Sequence, residues 1–137
     1  MRILGLDHIV IRCNDLAAML RFYSATLGCN VEKHNEKLGL VHLRAGSALI
    51  DLISVNGELG RAGGAGPGAQ ARNVDHFCLR IEQFDEPALR AHFRTHGIEL
   101  SRVHDNYGSE GTGPSVYFTD PEGNSVELKG PAHTPVR

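Results

Sequence analysis

Two histidines occupy the same place in two similar strand-like segments of this chain. His8 is the second residue of DHIVIR, and His76 is the second residue of DHFCLR. Each half of the chain also carries one acid between aliphatic residues, Asp51 in the first half and Glu127 in the second. Imidazole and carboxylate groups are common protein ligands of divalent metals. The pattern therefore predicts a site of two histidines and two carboxylates to which both halves must contribute.

The predicted elements follow one order in both halves. Apolar periodicity and turn residues predict strands at 6–12, 29–34, 38–44 and 47–54 with a helix at 16–27, and then strands at 74–81, 98–103, 114–119 and 124–129 with a helix at 85–96. Similar segments recur at an offset of 68 residues, since His76 follows His8 by that distance. We expect a first βαβββ module at 1–56, a flexible Gly-rich linker at 57–73, a second module at 74–130 and a loosely held tail at 131–137.

Strand alternation predicts which side chains share a face. Successive side chains of a strand point to opposite faces of the sheet. His8, Val10 and Arg12 therefore share one face of the first strand, while Ile9 and Ile11 face the other way. The same alternation groups the remaining polar candidates, which are His42, Asp51, His76, Tyr117, Glu127 and Lys129. We expect these faces to line a polar concavity and the helices to cover the apolar faces.

Composition excludes several other classes of protein. The 137 residues are 41% apolar and 22% charged, which suits one domain or two closely fused half-domains. The net charge is −2 and there is no basic run, which argues against a nucleic-acid partner. There is no apolar stretch long enough for a membrane span and no signal-peptide pattern, so we expect a cytoplasmic protein. Cys13, Cys29 and Cys78 form no CxxC motif and are expected to be small buried or half-buried thiols.

Two longer motifs resemble those of a known family. Residues 22–28 read FYSATLG, with the pattern FYxxxLG, and residues 118–128 read FTDPEGNSVEL, with the pattern FxDPxGNxxEL. Together with the two DH segments, they resemble the vicinal oxygen chelate superfamily, which contains glyoxalase I, the bleomycin-resistance proteins and dioxygenases. The resemblance implies an α+β fold in which two βαβββ modules form a curved mixed sheet around a metal cavity. It also implies a homodimer and a divalent ion such as Zn, Ni, Mn, Co or Fe.

The resemblance also assigns roles to individual residues. His8, His76 and Glu127 fall on the family's metal ligands, and Asp51 falls where glyoxalase I has a ligating glutamate. Aspartate is one methylene shorter, so its direct ligation, ligation through water and service as a base all remain open. In this family the metal acts as a Lewis acid that stabilises an enolate or alkoxide, and a carboxylate such as Asp51 or Glu127 moves the proton. His42 has the parity to be an additional base.

Substrate binding is expected to involve three further residues. Arg12 falls where a glyoxalase I arginine holds a carboxylate of glutathione, which favours a glutathione adduct or another anionic or thiol-derived substrate. The glutathione-binding asparagine of that enzyme is replaced here by Val55. Tyr117 and Lys129 share the parity of the cavity and are candidates for binding substrate.

Three alternatives stand beside a metal-dependent lyase or isomerase acting on a small, vicinally oxygenated substrate. The first is a fosfomycin-type thiol transferase or hydrolase, because Ser109-Glu110-Gly111 resembles the potassium-binding loop of those enzymes. Against it, Thr112 and Gly113 intervene before the next strand, and Val10 stands where those enzymes carry a threonine. The second is an extradiol dioxygenase with Fe(II) held by two histidines and one carboxylate. The third is a binding protein without catalysis, like the bleomycin-resistance members.

Overall fold

The first half of the chain forms one βαβββ module. Its elements are β1 (His8–Cys13), α1 (Leu16–Arg21) with a π-helical extension (Phe22–Thr26), β2 (Asn30–Asn35), β3 (Leu40–Ala45) and β4 (Ala48–Ser54). The sheet order is β1-β4-β3-β2, in which β1 and β4 are parallel and the other pairs are antiparallel. A short helix, α2 (Glu58–Arg61), follows the last strand.

The second half repeats this arrangement with its own sheet. Its elements are β5 (His76–Arg80), α3 (Glu86–Thr95), β6 (His104–Gly108), β7 (Gly111–Thr119) and β8 (Ser125–Lys129), with a short β9 (Thr134–Pro135) paired to β7. The order β5-β8-β7-β6 is that of the first module, and the first pair is again parallel. The repeated α+β module predicted from the sequence is therefore confirmed.

The computed structural model describes residues 1–136, so Arg137 of the predicted tail lies outside the described residues. The chain divides into two compact units. The first contains Met1–Asn73 with Pro121–Gly123, and the second contains Val74–Asp120 and the chain from Asn124. Among the helices of residues 1–136, none combines the length and the apolar character needed to cross a bilayer.

Each module packs its helix on the apolar face of its sheet. In the first, Ile11, Val41, Leu43, Ile50 and Leu52 are almost completely buried together with Met19 and Tyr23 of the helical segment. In the second, the buried residues are Phe93, Val116, Phe118, Val126 and Leu128, and the rings of Phe93 and Phe118 lie 4.7 Å apart. These apolar faces fix the sheets so that the alternate, polar side chains face the other way.

Aspartates cap the helices that follow the first strand of each module. The carboxylate of Asp15 accepts a hydrogen bond from Ala18 N at 2.9 Å, and that of Asp85 accepts one from Ala88 N at 3.0 Å. Glu122 adds a second carboxylate at the start of α1, accepting from the backbone N–H groups of Asn14 and Asp15. These bonds satisfy helix-start donors that would otherwise have no intrahelical partner.

Several predicted element bounds are wrong. Residues 98–103 form no strand, and the strand lies at His104–Gly108 instead. The next strand begins at Gly111 rather than at 114. The helix predicted over 16–27 becomes a π-helix at Phe22, and the predicted linker contains the helical turn Glu58–Arg61. The segment 98–103 is held instead against α3, where Arg90 donates to the carbonyls of Leu100 and Ser101.

Candidate functional site

The polar face of the first module carries His8, His42 and Asp51. In the sheet register Val10 and His42 both lie directly beside Asp51, so these residues share the face of His8. Nδ1 of His8 lies 2.6 Å from the carboxylate of Asp7. This hydrogen bond raises the pKa of His8, and the charge of Asp51 adds to the effect. The Asp7 contact engages Nδ1, and Nε2 is the remaining ring nitrogen.

Asp51 and His42 form a close pair on neighbouring strands. Asp51 is only 5% exposed, and its Oδ1 lies 2.7 Å from Nδ1 of His42. A buried carboxylate needs such a partner, because desolvation of an unpaired charge is costly. The pair is therefore arranged so that one side chain can receive a proton that the other helps to stabilise.

Arg12 directs its guanidinium to α2 and the segment that follows it. Its Nη1 donates to the carbonyl of Ala65, and its Nη2 donates to the carbonyls of Gly60 and Gly64. A side chain at position 63 would collide with this group, since a Cβ on Gly63 would lie 2.6 Å from the guanidinium carbon. The terminal nitrogens of Arg12 thus secure a backbone loop in this structure.

The second module brings His76 and Glu127 together. His76 begins β5 and Glu127 lies on the adjacent β8, and His76 Nε2 is 3.5 Å from Glu127 Oε2. Nδ1 of His76 lies 2.6 Å from the carboxylate of Asp75, just as His8 pairs with Asp7. Histidines that ligate metals commonly donate their other ring N–H to a carboxylate, which fixes the ring and its tautomer.

Hydrogen bonds keep the buried Glu127 ionised. Burial acts to raise the pKa of its carboxyl, but the side chains of Asn106, Ser115 and Tyr117 and the charge of His76 outweigh it, so the net pKa is lowered. Nδ2 of Asn106 lies 2.9 Å from Oε1 of Glu127 and 2.8 Å from the hydroxyl of Tyr117. Tyr117 sits directly beside Glu127 in the sheet, and burial followed by this negative charge raises its own pKa.

We expect Asn106→Ala to raise the pKa of Glu127 and to lower the free energy of unfolding at pH 7 by about 1–2 kcal/mol. The pKa of Glu127 is lowered in the folded state, so its stabilisation is complete above the unfolded value of about 4.3 and is lost as the pH falls through the folded pKa. The free energies of unfolding of the variant and the parent protein should therefore differ less at acidic pH than at pH 7. Urea unfolding at pH 7 and pH 3 measures this, with exposed Asn56→Ala as control. An equal difference at both pH values would contradict it.

A cavity of about 270 Å³ adjoins Glu127 within the second module. Lys129, two residues along β8, lines it and is only 5% exposed. Cys78 also lines it and is exposed, whereas Cys13 and Cys29 are buried as expected. Cys78 as a whole is exposed but its thiol group is partly buried, and this partial burial, followed by the charge of Glu127, raises the pKa of Cys78 to about 11. Cys78 is therefore a neutral thiol at physiological pH and a poor nucleophile.

Each module offers a pair of metal-binding groups rather than a complete set. Within residues 1–136, no three His, Cys, Asp or Glu side chains are grouped as metal ligands. In the first module Asp51 contacts His42, whereas in the second Glu127 lies beside His76. Two ligands held about 2.1 Å from one ion at a tetrahedral angle stand roughly 3.4 Å apart. The 3.5 Å separation of His76 Nε2 and Glu127 Oε2 fits this requirement.

Sequence reasoning missed Asn106 because it placed that residue in a loop. The alternation of His104, Asn106 and Gly108 with more exposed residues on β6 is a weak signal, and it becomes visible only once the strand is known. The roles of Asp7 and Asp75 were also missed, although their repetition before each histidine was evident in the sequence.

Comparison with known proteins defines the family. The family model described as Glyoxalase/Bleomycin resistance protein/Dioxygenase superfamily matches residues 5–128. No curated protein sequence matches the chain significantly. Many solved structures share the fold.

One of these is an integron cassette protein from the mobile metagenome of V. cholerae. It is 25% identical to this chain, the TM-score is 0.74, and the alignment covers 96% of this chain and 98% of the other. The lactoylglutathione lyase of Agrobacterium tumefaciens is 24% identical, with a TM-score of 0.66 and 92% of both chains covered.

A third structure is FosX, a fosfomycin resistance protein of Listeria monocytogenes, in complex with Mn(II) and sulfate. It is 19% identical, with a TM-score of 0.69 and coverage of 96% of this chain and 94% of the other. These structures agree with the repeated βαβββ topology described above. With its family model matching nearly the whole length, the chain belongs to the Glyoxalase/Bleomycin resistance protein/Dioxygenase superfamily.

Proposed function

We propose that this protein is a metal-dependent lyase or isomerase of the glyoxalase I type, acting on a small substrate with oxygens on neighbouring carbons. The observation that carries the proposal is the pair formed by His76 and Glu127. The carboxylate has a lowered pKa, and its partner imidazole has Nδ1 engaged by Asp75. An ionised carboxylate beside an oriented imidazole is the state in which both groups bind a metal ion.

The proposed protein ligands are His8, His76 and Glu127, with Asp51 as a fourth ligand or as the base. This set of nitrogen and oxygen donors suits Mn, Fe, Co, Ni or Zn. A bound divalent ion would supply Lewis acidity toward two neighbouring oxygens of the substrate. The presence of Mn(II) in the Listeria FosX structure supports a metal in this fold.

The proton is moved by the chain's own carboxylates in this proposal. Asp51 is buried, and its Oδ1 lies against Nδ1 of His42, so an imidazole is in place to stabilise either protonation state of Asp51. Asn106 and Tyr117 fix the orientation of Glu127, the second proposed acid–base group. A base that is oriented before substrate arrives loses little entropy on reaction.

The proposed contacts to the substrate are Arg12, Tyr117 and Lys129. The proposed substrates include adducts of glutathione or of another thiol. Tyr117 adjoins Glu127, and Lys129 lines the neighbouring cavity, which favours these two. To bind the substrate, Arg12 would have to give up its hydrogen bonds to the backbone carbonyls.

We further propose that the protein is a homodimer in the cytoplasm.

The proposal is tested by loading the metal-free protein with Mn(II), Ni(II), Zn(II) and Fe(II) in parallel. Elemental analysis should find about one tightly held ion per chain for at least one metal. That form should convert the hemithioacetal of methylglyoxal and glutathione to lactoylglutathione, and a chelator should abolish the conversion. Failure of all four ions to bind would overturn the proposal. Binding without conversion would contradict the glyoxalase I type and leave a different reaction of the same metal site.

A further inference from the structure

Within residues 1–136, the buried ammonium group of Lys129 at the cavity of the second module has no hydrogen-bond partner. We propose that this cavity binds an oxyanion, a carboxylate or a phosphoryl group, with Lys129 as the main counter-charge and Arg80 as the second. Taking that anion to be part of the substrate rests on the function proposed above. The structure thereby assigns anion recognition to the second module, whereas the resemblance to glyoxalase I suggested Arg12 of the first.

Lys129 is the strongest observation. The residue is only 5% exposed, and its Nζ atom has no hydrogen-bond partner among the described residues. An ammonium group without a partner in such surroundings is costly, because it has lost its water and gained nothing in return. A charge of this kind at the wall of a cavity indicates that a ligand completes its coordination.

The hairpin of β6 and β7 is built to admit this side chain. A Cβ on Gly108 would lie 2.8 Å from Cε of Lys129, and a Cβ on Gly113 would lie 3.0 Å from its Nζ. Both distances are too short for an ordinary contact, so glycine at these positions leaves room for the lysine. The flexible four-carbon stem of lysine lets the ammonium turn toward an anion in the cavity.

The cavity has the size and the neighbours that a small anionic substrate needs. Its volume is about 270 Å³, and its wall includes His76, Arg80, Glu110, Glu127 and Lys129. Lys129 and Glu127 are alternate residues of β8 and share a face. An anion at Lys129 would therefore bring neighbouring oxygens of the same molecule toward the proposed ligands His76 and Glu127.

The distribution of charge explains why the anion binds here. The Oε2 atom of Glu127 contacts His76, and Lys129 has no hydrogen-bonded counter-ion among the described residues. Arg80 is paired with Glu110, and both side chains are more than half exposed, at 57% and 53%. An exposed pair of this kind is weak and open to exchange. Glu110 therefore competes with a bound anion for Arg80, and the anion displaces the Glu110 carboxylate when it binds.

Arg80 and Arg12 differ in this respect although both stand four residues after the histidine of their module. The terminal nitrogens of Arg12 are engaged by three backbone carbonyls, one in α2 and two in the segment after it. The described partner of Arg80 is the carboxylate of one exposed side chain, that of Glu110. The second arginine is therefore the one that a substrate can recruit at low cost.

The test is a titration of the metal-free protein with inorganic phosphate and, separately, with acetate. Binding is followed by the amide signals of Gly108, Gly113 and Gly130, which surround the lysine. Lys129→Gln should weaken binding of the preferred anion by at least about tenfold, as expected for loss of a charge-assisted hydrogen bond. Glu110→Gln should strengthen it by about threefold, since it removes the competitor of the anion for Arg80.

Exposed Lys33→Gln is the matched control and should leave the dissociation constant unchanged. Tighter binding of phosphate identifies a phosphoryl or phosphonyl substrate, and tighter binding of acetate identifies a carboxylate; either supports the proposal. Absence of shifts at the three glycines with both anions, or equal binding by Lys129→Gln and the parent protein, overturns it. Because no metal is present, anion binding can succeed while metal loading fails, so the two proposals fall separately.

Discussion

Glu127→Gln is expected to lower the affinity of the protein for its preferred divalent ion by at least about 100-fold, because it removes a proposed direct ligand of the metal. Substitution of residues that only hydrogen-bond to such ligands already lowers metal affinity by about 10–100-fold. The substitution keeps the shape of the side chain and its hydrogen bond from Asn106. It removes the negative charge that Asn106, Tyr117 and His76 stabilise in the folded protein. A neutral amide oxygen is a much poorer ligand for a transition metal than an ionised carboxylate.

Metal titration of the parent, Glu127→Gln, His76→Ala and His8→Ala measures this effect. Glu99→Gln is the matched control. Glu99 is an exposed carboxylate whose charged partner is Arg94, at 3.8 Å, and it is not one of the proposed metal ligands. All three site variants should lose affinity while the control retains it, and circular dichroism should show the fold intact. Parent-like affinity in all three site variants would refute the ligand assignment.

Much of the fold could be predicted because its signals are local. Strand alternation places His8 and Arg12 on one face, and the structure places apolar Ile11 on the buried face as that alternation requires. The DH segments, their helices and the final strands recur in one order, and both sheets share one strand order. Each of these features depends on a short window of sequence in which apolar burial fixes the register.

The missed features depend on contacts between distant segments. Strand β6 reads HDNYG, with no β-branched residue, and only its pairing with β7 makes it a strand. The more strand-like sequence at 98–103 is held instead by Arg90 of α3. Asn106 therefore reaches Glu127 through a pairing that no local pattern encodes, and the same holds for the loop carbonyls that engage Arg12.

Asp51→Asn is expected to lower kcat by about 10²–10⁴-fold, the usual contribution of a general base, while the metal content stays near that of the parent. The burial of Asp51 and its 2.7 Å contact with His42 favour the base over the ligand. The short aspartate side chain already has one oxygen committed to that imidazole. Asparagine preserves a partner for His42 but has no site for a substrate proton.

The measurement pairs steady-state kinetics of the metal-loaded variant with elemental analysis of the same sample. Asp105→Asn is the matched control, because Asp105 also pairs with a histidine, His133 at 2.9 Å, but both side chains are exposed. It should leave kcat and metal content unchanged. Loss of metal in parallel with kcat would make Asp51 a ligand and contradict this prediction. His42→Gln distinguishes the cases further: with Asp51 as base it lowers kcat and keeps the metal, since the imidazole supports the proton acceptor and does not hold the ion.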